Sequence, residues 1–202
     1  VAERARTFRR FVKHLNPDIQ ISNLEIIEIS KNNNRQSEIE LIDLLQSHNL
    51  VGMVSEAGCP GIADPGNFLV QYAHLHNIEV IPLSGPSSIF MALMASGFNG
   101  QQFTFHGYLP RQEQALIHSI QRLEREMIHT GYTQIFMETP YRNDKLMESL
   151  LKQLSPETLL HLSCNLTSDA AFISTYKVIQ WKKKKPLHIH KKPCIFAIGR
   201  YW

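Results

Sequence analysis

The sequence predicts an α/β protein of two domains: a parallel-rich α/β sheet in residues 1–108 and a mixed α+β domain in residues 109–202. Three observations carry this reading. Strand-like and helix-like segments alternate through the first half, the pattern of a mostly parallel sheet covered by helices. Two of those strands run into Gly/Pro-rich loops followed by helices, which is where open α/β sheets hold ligands. After Leu154 the alternation stops, and three strand-like segments follow with little helix between them, the pattern of antiparallel pairing.

The elements follow in order. Glu3–His14 reads as a helix crowded with Arg4, Arg6, Arg9, Arg10 and Lys13. Glu25–Ile29 reads as a strand, Ser37–Ser47 as a helix, and the apolar run Leu50–Val54 as a buried strand. The loop Ser55-Glu-Ala-Gly-Cys-Pro-Gly-Ile-Ala-Asp-Pro-Gly66 comes next, with three glycines, two prolines and the carboxylates Glu56 and Asp64. Glycine lets the main chain take positive φ and approach a ligand closely, and proline stiffens it. Asn67–His76 reads as a helix and Glu79–Leu83 as a strand. A second loop, Ser84-Gly-Pro-Ser-Ser88, leads into the helix Ile89–Ser96. Ser87 or Ser88 can cap that helix, and the same hydroxyls and backbone N–H groups suit a carboxylate ligand.

Phe103–His106 reads as a strand and Gly107–Pro110 as a hinge. The second half begins with the helix Arg111–Ile128. Strand Thr133–Met137, the turn Glu138-Thr139-Pro140 and helix Arg142–Leu154 follow. Thr158–Cys164, Ala171–Lys177 and Cys194–Gly199 are the three closing strands.

Composition narrows the function classes. With 43% hydrophobic residues the chain can bury a core, which excludes disorder. No apolar run approaches the roughly 18 residues of a membrane span, and no signal peptide is visible. Cys59, Cys164 and Cys194 are odd in number and widely spaced, which fits a reducing cytoplasm. The net charge of +3 does not by itself announce a nucleic-acid binder. The run Lys182–Lys185, with His188, His190, Lys191 and Lys192 after it, is either a solvated tract or a phosphate-contacting edge.

Several chemistries lack their motif. There is no Gly-x-Gly-x-x-Gly, P-loop, His-Glu-x-x-His or Gly-x-Ser-x-Gly. His188-x-His190 has no third ligand at useful spacing, so no metal site is expected. Cys59 is either a nucleophile or a small side chain suited to a crowded turn.

Five segments occur in a telling order: Val54–Gly66, Pro82-Leu-Ser-Gly-Pro-Ser-Ser88, Ala95-Ser-Gly97, Phe105-His-Gly-Tyr-Leu-Pro110 and Phe136-Met-Glu-Thr-Pro-Tyr-Arg142. Together they resemble the tetrapyrrole methylase superfamily, the class III S-adenosylmethionine-dependent methyltransferases. The likeness is strongest to the branch that 2'-O-methylates a cytidine ribose of small-subunit ribosomal RNA, and it covers essentially the whole chain.

The resemblance implies a two-domain class III fold, S-adenosylmethionine as methyl donor in the cleft between the domains, and a homodimer. It assigns donor contacts to Glu56, Ala57, Gly58, Cys59, Ser87, Ser88, Met137 and Pro193. Glu56 stands where the family more usually has an aspartate. Glu138 lies beside Met137 at the end of the same strand, and Pro193 with Cys194 approaches the adenine edge. The family begins with a further strand and Pro-x-Gly turn; Val1 in place of Met fits a chain that starts after them. Where the family carries Glu-Asp-Thr, this chain has Ala2-Glu3-Arg4-Ala5-Arg6-Thr7. Where the ribosomal branch has Arg-Glu-Leu-Thr-Lys, it has Cys164-Asn-Leu-Thr-Ser168.

A ribose hydroxyl needs a base to take its proton, and Glu56 and Glu138 are the candidates. Glu56 can instead balance the sulfonium charge or hold the donor's hydroxyls. Arg142 either contacts a substrate phosphate or pairs with a neighbouring acid. RNA methylation is the expected function. Methylation of a tetrapyrrole or other small acceptor, and a donor-binding protein without catalysis, are the alternatives.

Overall fold

The structure, a computed structural model, describes residues 1–29 and 35–201. Contacts divide the chain into two compact units, Val1–Ser87 and Ser88–Trp202.

The first unit is organised around Ala2. Its N–H donates to the Ile27 carbonyl at 2.9 Å and its carbonyl accepts from Ile29 N–H at 2.8 Å. On its other side Glu3 N–H donates to Val54 O at 3.1 Å. Ala2 thus bridges Glu28 and Val54 in parallel, with the start of the chain between the two segments that read as strands. Both expected strands, Glu25–Ile29 and Leu50–Val54, contract to these single bridges. The expected strand Glu79–Leu83 does not form among the described residues, and Val80, Ile81 and Leu83 are exposed. The physical reason is the same in each case. An apolar pentad becomes a strand only when a neighbour takes up its backbone hydrogen bonds.

Among the described residues this unit has the α-helices α1 (Ala5–Leu15), α2 (Arg35–Ser47) and α3 (Asn67–Leu75). The Arg4 side chain does not cap α1. Glu28 does so from a distance, accepting Ala5 N–H at 2.9 Å and satisfying one of the orphan donors of the first turn. The core is small: Ile29, Leu41 and Leu69, with Met53, Phe68 and Leu45 packed against them.

The second unit carries a five-stranded mixed sheet in the order β1 (Phe103–Tyr108), β2 (Thr133–Met137), β5 (Cys194–Gly199), β3 (Leu159–Cys164), β4 (Phe172–Lys177). β1 pairs parallel with β2, and the remaining pairs are antiparallel. The sequence reading counted β1 with the first half; its hydrogen bonds place it in this sheet. Register slips between Phe105 and Tyr108, where Gly107 takes φ +64°, a glycine bulge that sharpens the strand's twist.

Side-chain alternation covers both sheet faces. Phe136, Phe196, Leu160 and Leu162 pack on one face with Leu116, Ile120 and Leu123 of α5 (Glu113–Thr130) and Leu146 and Leu150 of α6 (Asn143–Gln153). Ile135, Ile195 and Ala197 pack on the other with Ala92 and Leu93 of α4 (Ser88–Ser96). Phe136 and Phe196, paired in register, stack with centroids 6.0 Å apart. The one-turn helix α7 (Val178–Trp181) closes the edge beyond β4, its Trp181 indole donating to Leu160 O at 2.8 Å.

Candidate functional site

In the first unit the glycine loop leaves the Ala2 bridge and turns back before α3. Four of its residues hold positive φ: Gly58, Gly61, Ala63 and Gly66. Cys59-Pro60-Gly61-Ile62 closes with Ile62 N–H on Cys59 O at 3.1 Å. Proline second and a positive-φ glycine third are the signature of a type II turn. A Cβ on Gly58 meets nothing within 4 Å, so the backbone there is open to an incoming group. Gly66 is the opposite case. Its φ is +120° and a Cβ would lie 2.5 Å from Met53 Sδ, so the entry to α3 requires glycine.

Glu56, Ala57 and Gly58 are exposed and Cys59 is half-buried. The Glu56 backbone N–H donates to Glu3 Oε2 at 3.0 Å. Glu3 is a residue the sequence reading missed. It is buried beside Ala2 and ties the loop to the bridged segments. No local signal marks it, because the partner lies 53 positions away. The Glu56 carboxylate itself forms no ion pair among the described residues, which leaves it available to solvent or ligand. Ser87, half-buried, ends this unit.

In the second unit Ser88 is the first residue of α4. Met137, half-buried, ends β2, and the chain turns through Glu138 into a 3-10 turn, Pro140–Arg142. Glu138 is buried, with both oxygens engaged. Oε1 accepts Thr139 N–H at 2.7 Å, and Oε2 faces Arg142 Nε at 3.4 Å. Arg142 also donates from Nη2 to Arg111 O at 3.2 Å. Of the two roles open to Arg142, pairing with a neighbouring acid is the one seen. The helix expected from Arg142 starts one residue later, at Asn143.

Asn143 is a second residue sequence reasoning missed, although asparagine at a helix start was a usable signal. It is fully buried and donates from Nδ2 to Lys192 O at 2.7 Å, holding the segment before Pro193. Its Oδ1 is buried without a partner. Pro193 is exposed, and its carbonyl accepts Asn165 N–H at 3.0 Å. Asn165 and Thr167, in the segment after β3, both hold positive φ. That is a strained choice for a β-branched threonine.

Two further groups are structural. Cys164 and Cys194 face each other across β3 and β5, and burial, followed by the facing Cys164 thiol, pushes the Cys194 thiol well above its usual range. His161 is buried in the sheet between Thr175 Oγ1 at 2.8 Å and Ser163 Oγ at 2.7 Å, and burial lowers its pKa to about 4. Among the described residues no three His, Cys, Asp or Glu side chains gather to hold a metal ion, and no helix is long and apolar enough to cross a membrane.

No protein-family model matches the chain. Its sequence is 28% identical over 195 residues to the protein named Ribosomal RNA small subunit methyltransferase I of Buchnera aphidicola subsp. Schizaphis graminum, covering 94% of this chain and 67% of the relative. It is 33% identical over 148 residues to the protein of the same name from Vibrio cholerae, covering 73% of this chain and 48% of the relative. The chain thus spans about half to two thirds of the length of the curated relatives it matches. Among solved structures it is similar to the methyltransferase CobJ, with TM-score 0.56 and 14% identity over 89% of this chain and 79% of that one. At that identity the likeness shows the fold, and the two sequence relatives, both named Ribosomal RNA small subunit methyltransferase I, are what the chain is similar to in sequence.

Proposed function

We propose that the protein is an S-adenosylmethionine-dependent methyltransferase that acts on RNA, with a cytidine ribose 2'-hydroxyl of small-subunit ribosomal RNA as acceptor. One observation carries this reading. The similarity to a protein named Ribosomal RNA small subunit methyltransferase I runs over 94% of the chain, an extent that takes in both glycine loops.

The donor contacts proposed in the first unit are Glu56, Ala57, Gly58, Cys59 and Ser87; those in the second are Ser88, Met137 and Pro193. The open backbone at Gly58 and Gly85, where a Cβ would meet nothing within 4 Å, suits close approach of a ligand. The donor supplies an activated methyl group on a sulfonium, so the chain's own work is alignment and exclusion of water. A base must also take the hydroxyl proton. Protonating Glu138 would break its Arg142 bridge in a buried setting, which is costly. Glu56 carries no such bond and is the better base, or the counter-charge to the sulfonium. Arg142, held by Glu138, is the proposed substrate contact.

The protein is further proposed to work in the cytoplasm as a homodimer, which the exposed Phe90 and Met94 on α4 support. Sedimentation of the purified protein tests the dimer.

A second reading has one specific support. Residues 164–168 contain no charged side chain, and Thr167 is held in strained backbone. A donor-binding protein without catalysis fits that segment. Two measurements separate the readings. Calorimetry with S-adenosylhomocysteine should give micromolar binding. Labelled methyl transfer to small ribosomal subunits should place the methyl on a ribose. Binding without transfer to subunits or to free RNA would overturn the RNA reading and favour the second; transfer to a tetrapyrrole would favour a small acceptor.

A further inference from the structure

Charge is distributed unevenly along this chain. After Asp169 there is no Asp or Glu, while Lys177, Lys182, Lys183, Lys184, Lys185, Lys191, Lys192 and Arg200 are all basic. The remaining 13 Lys and Arg face all 18 acids, so the closing stretch is cationic on an otherwise acidic chain. Lys182–Lys185, His190, Lys191 and Lys192 are exposed. This segment is not a free tail. Lys191 N–H donates to Pro140 O at 2.8 Å, Ile189 N–H to Asp144 Oδ1 at 3.0 Å, and Asn143 Nδ2 to Lys192 O at 2.7 Å. Lys191 takes φ +62° to make this turn.

The tethers place residues 189–192 beside an aromatic ring. Tyr141, in the turn that also carries Arg142, is 68% exposed. The His190 ring meets it edge-on with centroids 5.8 Å apart, and Lys191 Nζ lies 5.9 Å from its centroid. The acids nearby are already engaged: Glu138 with Arg142, and Asp144 with the Ile189 backbone. A large exposed aromatic with a lysine ammonium over its ring and a second exposed lysine next in sequence is a combination that suits single-stranded nucleic acid. Bases stack on the ring and the cations follow the phosphates.

We infer that Tyr141 is a stacking platform for one base of single-stranded RNA, with Lys191 and Lys192 holding the flanking phosphates. The inference rests on the RNA reading above and adds to it the surface that grips the strand. Aromatic stacking serves any base, so this surface supplies affinity and position and leaves sequence choice to other contacts.

The test is fluorescence anisotropy with a labelled single-stranded oligonucleotide of small-subunit ribosomal RNA, beside calorimetry with S-adenosylhomocysteine on the same proteins. Tyr141→Ala should weaken RNA binding about 5- to 100-fold. Tyr141→Phe, which keeps the π-face, should bind within about twofold of the parent. Lys191→Gln should lower the slope of log affinity against log salt by about 0.7. All three should bind S-adenosylhomocysteine as the parent does. Parent-like RNA affinity in Tyr141→Ala overturns the platform and leaves the RNA reading standing. Loss in Lys191→Gln without loss in Tyr141→Ala overturns stacking too. If the parent itself binds no RNA while holding S-adenosylhomocysteine, the platform falls together with the RNA reading.

Discussion

Glu79–Leu83 and Cys194–Gly199 are both short apolar runs that read as strands, yet they end in opposite conditions. The first is outside any strand and exposed, in a unit whose described bridges gather at Ala2. The second is buried at every position, paired on both edges and covered on both faces. The contrast holds for the units as wholes. Among the described residues Val1–Ser87 gathers one small cluster around Ile29, Leu41 and Leu69, and Ser88–Trp202 encloses two larger clusters around one sheet. Strand formation is therefore a property of neighbours as much as of composition. It also has a functional side. The glycine loop belongs to the less consolidated unit, where local opening costs least and a ligand has most to order.

The sharpest way to break this comparison is to empty each core. Phe136→Ala in the second unit should cost about 3–5 kcal/mol, and Leu41→Ala in the first about 2 kcal/mol, because a sparse site collapses around the loss. Urea denaturation followed by hydrogen exchange in each unit reads both. Equal costs would mean that the two cores are equally consolidated.

Acid should act on the second unit through His161. Its folded pKa is about 4 against an ordinary 6.5, so the unfolded chain binds the proton more readily. The corresponding stability is complete above pH 6.5 and falls as the pH drops toward 4, by about 3 kcal/mol at most. Denaturation midpoints across pH 4–7 should show this slope in the parent. His161→Gln should flatten it, and a slope left intact would remove His161 as its source.

Gly66→Ala tests the loop that the first unit carries. Positive φ and a Cβ 2.5 Å from Met53 Sδ should cost about 1–3 kcal/mol. S-adenosylhomocysteine affinity should fall with it, and an unchanged melting temperature would contradict the strain. The smallest effect is expected from Glu3→Gln. Among the contacts of Glu3 it weakens the bond to the Glu56 amide, a bond worth about 1 kcal/mol. Hydrogen exchange at Glu56 should quicken while exchange in β2 and β5 stays the same.

Much of the glycine loop's shape was legible because its requirements are local. Glycine and proline dictate loop shape through their own backbones, so the Cys59–Ile62 turn and the glycine at 66 could be read from residue types in order. The apolar helices and the three closing strands were legible for the same reason, since periodicity is a short-range signal. The motif order also pointed to the superfamily. What sequence could not supply was long-range pairing. Glu3 reaches the loop across 53 residues, Glu28 caps a helix 23 residues away, and Asn143 holds a segment 49 residues on. Glu138 and Arg142 were both named, but only packing showed that each occupies the other. Composition can specify that a segment is able to be a strand, a cap or a base. Whether it becomes one depends on which groups the folded chain brings within hydrogen-bonding distance, and that is decided in three dimensions.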